Sequence, residues 1–481
     1  MTVSIQELAQ RSDIKFGTSG LRGLVENFTD EVCFAYTKAF LLSQEGNFKK
    51  VAIGHDLRPS SPRITQACIS AIEALGLEAI YCGALPTPAI AYYCLNKKIP
   101  GIVVTGSHIP FDRNGIKFYR ADGEISKTDE ESIMGSDIEI EGNNSTSLPV
   151  FDREAMELYQ KRYIDFFGTR FLSGKTIAIY QHSSVARDFL DHLFQEMGAK
   201  TLLLGRSNEF VPIDTEAVRN EDISQAKQWA GENNFDILVS TDGDADRPLV
   251  ADEYGEFIRG DLLGALTAQY LEADHVVTPV NSSSAVELNN NFKSITRTKI
   301  GSPYVICGMS KIFEKDPLST IVGYEANGGV LLGSSLKNEY GLLLPLQTRD
   351  AVLPMLSFMG SMIKWKLPAS NIASLLPNRY TYSDRVQGFS LQSCREFIEL
   401  VENQKIELCS PFSGMANSIF KIDLTDGVRA FFDTGDIVHF RVSGNAPEIR
   451  CYAESDSARK CEKLCNAGID FIRKTINFLD T

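Results

Sequence analysis

The sequence predicts an α/β protein of four domains, on three observations. Short apolar runs end abruptly in polar or glycine-rich turns, patterns of helical period fall between them, and breaks divide the chain into stretches of roughly a hundred residues. Its 481 residues exceed what one hydrophobic core serves, and length alone suggests about three domains. The breaks favour four: 1–150, 151–255 and 256–370 as three successive mixed α/β sheet domains, and 371–481 as a C-terminal α+β domain.

The first strand-like stretch considered is VAIGHD at 51–56. SSPRITQACISAIEALG follows it, where Ser61 suits the cap, Pro62 the first helical position and Gly76 the stop, and Ile64, Cys68, Ile72 and Leu75 recur at helical spacing. Further strand-like runs are GIVVTGSH at 101–108, TIAIYQHSS at 176–184, FDILVSTDGD at 235–244, VVTPVNSSS at 276–284 and TIVGYEANGG at 320–329. Strands alternating with helices imply βα units, whose ligands gather beyond the carboxyl ends of the strands. EIEGNNSTSLP at 139–149 has the composition of a linker, and a helical pattern runs from about Phe151 to Phe167. After Tyr254, IRGDLLGALTAQYL starts a new helix. Beyond KLPASNIASLLP at 366–377 the pattern turns strand-rich, with RAFFDTGDIVHFRVSG. No short-period repeat is visible.

Composition is that of an ordinary globular protein, 43% hydrophobic and 23% charged. A net charge of -14 argues against a duplex nucleic-acid partner, which needs a basic face, while leaving room for a local anion pocket. Ten scattered cysteines form no CxxC pair and read as reduced thiols. No leader pattern opens the chain and no window approaches the length of a membrane span, so a cytoplasmic protein without a membrane partner is expected.

Chemistry concentrates in three loops. STDGDADRP at 240–248 sets Asp242, Asp244 and Asp246 at alternate positions behind the apolar run FDILV, where like charges oppose joint ionisation. A bound divalent ion, magnesium by the hardness of its ligands, relieves that conflict and leaves a position open for a phosphate oxygen. An EF-hand is the rival reading, with Glu253 at its twelfth position. However, Arg247 stands where that loop needs glycine, and the flanks read as strands. A solvated acidic turn is the plainest alternative. GIVVTGSHIPFDRNGIKFY at 101–119 presents Ser107 and His108 at a strand end. A serine there is often a mere turn former, and no G-x-S-x-G elbow supports a Ser–His–Asp hydrolase. RVSGNAPEIR at 441–450 combines arginines with a turn whose amides suit an anion, or forms an ordinary polar hairpin.

In chain order, KFGTSGLRG at 15–23, GHDLRPSS at 54–61, ALPTPA at 84–89, TGSHIP, NGIKFY at 114–119, DGDADR, YEANGG and RVSGNAP together resemble the α-D-phosphohexomutase superfamily. The resemblance implies domains around a central cleft and a phosphoserine at Ser107, with His108 beside it. It implies Mg2+ held by Asp242, Asp244, Asp246 and the phosphoserine, and phosphoryl transfer through a hexose 1,6-bisphosphate that also serves as activator. Arg247 would neutralise the phosphoryl group and Arg22 would face the site. Lys117 would be a general acid/base if burial and neighbouring charges lower its pKa; otherwise it is an exposed strand lysine.

Glu325 and Asn327 would contact sugar hydroxyls, and Ser302 lies in the corresponding discriminating loop. Arg441, Ser443, Asn445 and Arg450 would grip the phosphate that is not reacting. The departures are Gly106 for alanine, Ile109 for asparagine, and Asn445 and Ala446 for threonine and glutamate. In the sugar loop, Asn327 stands for serine and Gly329 for histidine. The expected substrate is a hexose phosphate and the expected assembly a monomer or homodimer. The YEANGG loop resembles phosphomannomutases more than phosphoglucosamine mutases, with phosphoglucomutase, a phosphoserine-dependent phosphatase and a non-catalytic sugar-phosphate binder as alternatives.

Overall fold

Three sheets in succession repeat one strand arrangement, and each repeat ends in one of the loops singled out above. The computed structural model describes residues 2–17, 20–140, 147–403, 407–443 and 448–479. In the first sheet Lys50–His55 pairs in parallel with Glu78–Ala84 on one side and Gly101–Val104 on the other. Arg113–Arg120 then returns antiparallel to Gly101–Val104, and Leu21–Leu24 and Lys15–Phe16 extend the edge. The second sheet repeats the order. Thr176–His182 lies parallel between Lys200–Arg206 and Ile237–Thr241, and Pro248–Ala251 returns antiparallel. The third has His275–Pro279 between Ser294–Thr298 and Ile321–Tyr324, with Val330–Leu332 returning.

The returning connection of each sheet is therefore the serine loop, the aspartate loop and the sugar loop in turn. A parallel strand delivers each loop to the carboxyl end of its sheet, where irregular backbone faces a neighbour rather than a continuing ladder.

The fourth sheet is wholly antiparallel, in the order Tyr380–Gln387, Glu448–Ser455, Ile437–Val442, Val428–Phe432 and Ile419–Asp423. Leu391–Glu402 and Ala458–Leu479 cover it as helices. Its apolar core, from Val386 through Phe440 to Ile476, is its own. The first three sheets instead share one continuous cluster running from Ile90 through Tyr159 and Phe189 to Val322 and Leu353.

The helix Val352–Trp365 is buried from Val352 through Met362, as its nearly unbroken apolar sequence requires. It packs so closely on the helix Gly260–Tyr270 that a Cβ on Gly360 would fall 2.4 Å from the Tyr270 ring. Among the described residues no helix is long and apolar enough to cross a membrane.

Two local expectations shift. Ser61 is the first residue of the helix Ser61–Ala74 rather than its cap, because its hydroxyl donates to Asp56 Oδ1 at 2.6 Å. The helix expected from Phe151 begins at Glu154, whose amide donates to Asp152 Oδ1 at 2.7 Å.

Candidate active site

The serine loop is wound around one buried cation. Arg58 donates from Nη1 to the carbonyls of Pro110 and Arg113 at 2.7 and 2.9 Å, and from Nη2 to those of Ser107 and Ile109 at 3.0 and 2.5 Å. Asp56 Oδ2 takes the Arg58 Nε, the Thr105 hydroxyl and the Gly106 amide at 3.2, 2.8 and 3.2 Å. The guanidinium sits 4.0 Å over the Phe210 ring, which reaches in from the second sheet's segment. Gly106 leaves room for the guanidinium in this position, since a Cβ would lie 2.5 Å from Arg58 Cζ. So fastened, the backbone holds Ser107 at φ 51°, a left-handed conformation that costs serine on the order of 1 kcal/mol.

Ser107 Oγ donates to Asp242 Oδ2 at 2.5 Å, across the join between the first and second sheets. The aspartate loop then divides its oxygens. Asp242 Oδ1 accepts the amides of Asp246 and Arg247, both at 3.2 Å. Asp244 Oδ2 accepts from the Thr87 hydroxyl at 2.6 Å and Lys117 Nζ at 2.7 Å. Asp246 Oδ2 accepts from Lys117 Nζ at 2.7 Å and from Arg349 Nε and Nη2 at 3.1 and 2.8 Å.

The remaining oxygens, Asp244 Oδ1 and Asp246 Oδ1, are buried without a hydrogen-bond partner. One carboxylate oxygen from each of the three aspartates falls within 4.8 Å of the others. Buried acceptors left unmet and convergent are costly as they stand, and a hard divalent cation is the group that fits them.

The electrostatics agree. Burial, then the charges of Asp244 and Asp246, push the Asp242 carboxyl well above the ordinary range. Asp246 is buried too, but Arg349, Lys117 and Arg247 outweigh that and hold it well below. Lys117 departs from the condition set for it. Burial works to lower its pKa, but pairing with Asp244 and Asp246 prevails and raises it, so Lys117 is a buried ammonium ion and not an exposed strand lysine.

His108 Nδ1 lies 3.3 Å from Ser107 Oγ. Arg247, then burial and Arg22, push its pKa down to about 2, which keeps the imidazole neutral. Arg22 is itself lowered to about 10 by burial and by Arg247 and Arg349, and it stays charged at neutral pH.

The sugar loop faces the aspartates through Arg349, whose Nη1 donates to Glu325 Oε2 at 2.8 Å. Asn327 uses its side-chain oxygen within the loop, accepting the Gly329 amide at 2.9 Å, and its backbone carbonyl accepts the Thr215 hydroxyl at 2.8 Å. Ser302 opens the helix Ser302–Lys315, and its hydroxyl donates to Glu124 Oε2 at 3.0 Å. On the fourth sheet Arg441 Nε donates to Asp426 Oδ2 at 2.9 Å and Arg450 Nε to Glu448 Oε1 at 2.9 Å. The Ser443 amide donates to the carbonyl of Glu448 at 2.9 Å. Asn445, with Ala446, lies outside the described residues.

The structure thus brings Ser107, His108, Lys117, Arg22, the three aspartates, Arg247 and Glu325 to one place, and sets Arg441 and Arg450 on a separate sheet. Sequence reasoning missed four contributors. Asp56 and Arg58 sat inside GHDLRPSS and Thr87 inside ALPTPA, quoted as motifs without a role. Arg349 gave no signal.

Three family models match the chain: phosphoglucomutase/phosphomannomutase alpha/beta/alpha domain I over residues 13–141, domain II over 161–255 and domain III over 259–380. A phosphomannomutase of Salmonella muenchen is 45% identical over 463 residues, covering 96% of this chain and 95% of its own. One from Sinorhizobium fredii is 38% identical over 473 residues, covering 96% and 99%. The crystal structure of a phosphoglucomutase/phosphomannomutase family protein from Burkholderia thailandensis superposes with a TM-score of 0.71 over 94% of this chain and 96% of that one. At 17% identity it is a likeness of fold.

Proposed function

The chain belongs to the phosphoglucomutase/phosphomannomutase family, and from that premise we propose that it is a phosphomannomutase with Ser107 as its phosphoryl carrier. It is an isomerase of the mutase kind, and the substrate is a phosphosugar. The observation that carries the assignment of roles is the Ser107 hydroxyl, 2.5 Å from Asp242 Oδ2, beside Asp244 Oδ1 and Asp246 Oδ1, two buried carboxylate oxygens without a hydrogen bond.

In the forward half-reaction the oxygen–phosphorus bond to Ser107 breaks and one to the free hydroxyl of a hexose monophosphate forms. The sugar hydroxyl loses its proton and the serine oxygen gains one. In this reading Lys117, an ammonium ion paired with Asp244 and Asp246, gives that proton to the leaving serine oxygen and takes up the proton of the sugar hydroxyl. The pairing that raises its pKa makes the uptake the easier of the two transfers. Asp242, Asp244 and Asp246 would hold a magnesium ion together with the oxygen carried on Ser107, and that ion supplies positive charge against the phosphoryl oxygens. Arg247 and Arg22 add fixed cations on the same side, and neutral His108 adds none. Glu325 orients the sugar, while Arg441, Ser443, Asn445 and Arg450 take the distal phosphate so that either end of the hexose bisphosphate can face Ser107.

Mannose is preferred because both relatives described above are phosphomannomutases. The reading carries with it a cytoplasmic enzyme, monomeric or homodimeric, started by a trace of hexose 1,6-bisphosphate. The test is a panel of mannose, glucose and glucosamine 1-phosphates, each with magnesium and trace bisphosphate, reading both the 6-phosphate isomer and free phosphate. Conversion of mannose 1-phosphate well ahead of the others, with little phosphate released, is expected. Stoichiometric release of phosphate instead of isomer would replace the mutase with a phosphatase.

A further inference from the structure

Arg349 enters the cleft from the strand Leu346–Asp350 and is buried. Its Nε and Nη2 grip Asp246 Oδ2 at 3.1 and 2.8 Å, and its Nη1 grips Glu325 Oε2 at 2.8 Å. A single guanidinium thus joins the aspartate loop of the second sheet to the sugar loop of the third. Both carboxylates are buried and of like charge, so without a cation between them the two loops repel.

The stem of Arg349 explains the glycine that ends the sugar loop. A Cβ on Gly329 would lie 2.8 Å from Cγ and Cδ of Arg349 and 2.9 Å from its Cβ. A side chain at 329 and the arginine at 349 exclude one another. Where related sugar loops place histidine, this chain has a glycine, and the vacated volume is filled from a different strand.

From that juxtaposition, and resting on the phosphohexomutase reading, the geometry points to Arg349 as a positioning residue of the reaction. It clamps the acidic loop to the sugar loop through Asp246 Oδ2, leaves Oδ1, which has no hydrogen bond and faces Arg247 Nε at 3.5 Å, for the cation, fixes Glu325 for the sugar hydroxyls, and depends on Gly329 for its berth. Lys117 donates to the same Asp246 oxygen at 2.7 Å, so the acidic loop stays tied when the arginine is lost. Loss of Arg349 therefore removes a positive charge beside the cation position without freeing the ligand.

That asymmetry sets the test. In Arg349→Met, magnesium ion titrated alone by calorimetry binds roughly tenfold more tightly, since its repelling neighbour is gone. The same variant loses about a hundredfold in kcat, and its KM for hexose phosphate rises as Glu325 loses its hold. A residue that only propped up the site would weaken magnesium binding along with activity. Unchanged or weaker magnesium binding, or kcat and KM both within threefold of the unaltered protein, overturns the proposal.

A second measurement does not depend on turnover. Gly329→Ala is expected to lower the melting temperature by several degrees in the Arg349 background and hardly at all in Arg349→Gly, a non-additive pair. Additive losses would dissolve the link between the two positions. If the unaltered protein converts no hexose phosphate, the mutase reading fails by itself. The magnesium titration and the melting cycle still decide the clamp.

Discussion

The two ends of the site are built differently. Around Ser107 the aspartate loop of the second sheet is held from the sheets on either side: Asp246 by Lys117 of the first and Arg349 of the third, and Asp244 by Thr87 and Lys117 of the first sheet's segment. Around the distal phosphate position Arg441 and Arg450 pair with Asp426 and Glu448 of their own sheet. The Lys117 side chain is 7% exposed and that of Arg450 38%, so the first ion pair is far less screened than the second. The first three sheets also share a core, whereas the fourth keeps its own and meets the third through polar ties. Glu454 Oε1, for example, accepts from the hydroxyls of Ser283 and Ser284 at 2.9 and 2.8 Å and from Arg379 Nε at 3.1 Å. In the proposed reaction the end tied across sheets is where charge moves, and the end paired within its own sheet holds either of two phosphates and releases both.

The sharpest way to break that contrast is at Ser107. Ser107→Ala removes the carrier oxygen and is expected to abolish turnover, a loss of about four orders of magnitude or more. It deletes the hydrogen bond to Asp242 and the longer contact with His108, together worth about 1–2 kcal/mol, so the melting temperature should stay within a few degrees. Intact-mass measurement should show a phosphoryl group on the unaltered protein and none on the variant. A variant that still turned over at a tenth of the original rate would remove Ser107 from the mechanism.

Next in size is Lys117. Lys117→Met keeps length and burial but leaves Asp244 and Asp246 short of a shared cation, so kcat should fall about a thousandfold. Breaking a buried pair costs on the order of 3 kcal/mol, and here the loss should appear chiefly without metal and be recovered in part with magnesium. Melting curves with and without magnesium measure both. Equal melting of variant and parent in metal-free buffer would mean that the ammonium ion does not hold the acidic loop together.

What was legible in the sequence follows the same divide. Each catalytic loop announces itself as an apolar run that stops at a polar turn, because a buried parallel strand must be apolar and its outgoing loop must not be. DGDADR went further, since three carboxylates crowded behind an apolar run favour a bound cation over a solvated turn. The common arrangement of the three sheets was not legible, for it resides in pairing order, and TGSHIP, DGDADR and YEANGG share no residue pattern that would reveal it.

Partners distant in sequence were hidden for a related reason. Arg349 reaches Asp246 across 103 positions and sits in LPLQTRDA, where nothing distinguishes it from a surface arginine. The raised pKa of Lys117 depends on two aspartates that only the folded chain brings near it. Ser302 read as a cleft residue because its loop resembled a recognition loop, and nothing in the sequence pointed to the partner its hydroxyl donates to, Glu124, which also accepts the Thr348 hydroxyl at 2.6 Å.

The distal end gives the smallest effect and the finest test of the contrast. Asp426 Oδ2 accepts both Arg441 Nε at 2.9 Å and the amide of Ile300 at 3.0 Å, so one carboxylate links the arginine proposed to grip phosphate to the loop 299–301 that precedes the helix Ser302–Lys315. His439 Nε2 lies 2.6 Å from the carbonyl of the same residue and fixes its backbone. Asp426→Asn keeps the size and its one amide oxygen can still accept both donors, but it carries no charge to hold the Arg441 guanidinium. Arg441 then loses its orientation before substrate arrives, and ordering one long side chain on binding costs about 1 kcal/mol. KM for hexose phosphate should therefore rise about fivefold to tenfold, with kcat within threefold, because nothing at the transferring phosphoryl group has changed. Steady-state kinetics on mannose 1-phosphate measures it. A fall in kcat of the size expected for Lys117→Met would show that the distal end takes part in the transfer itself, and the division between a rigid centre and an adjustable grip would have to be abandoned.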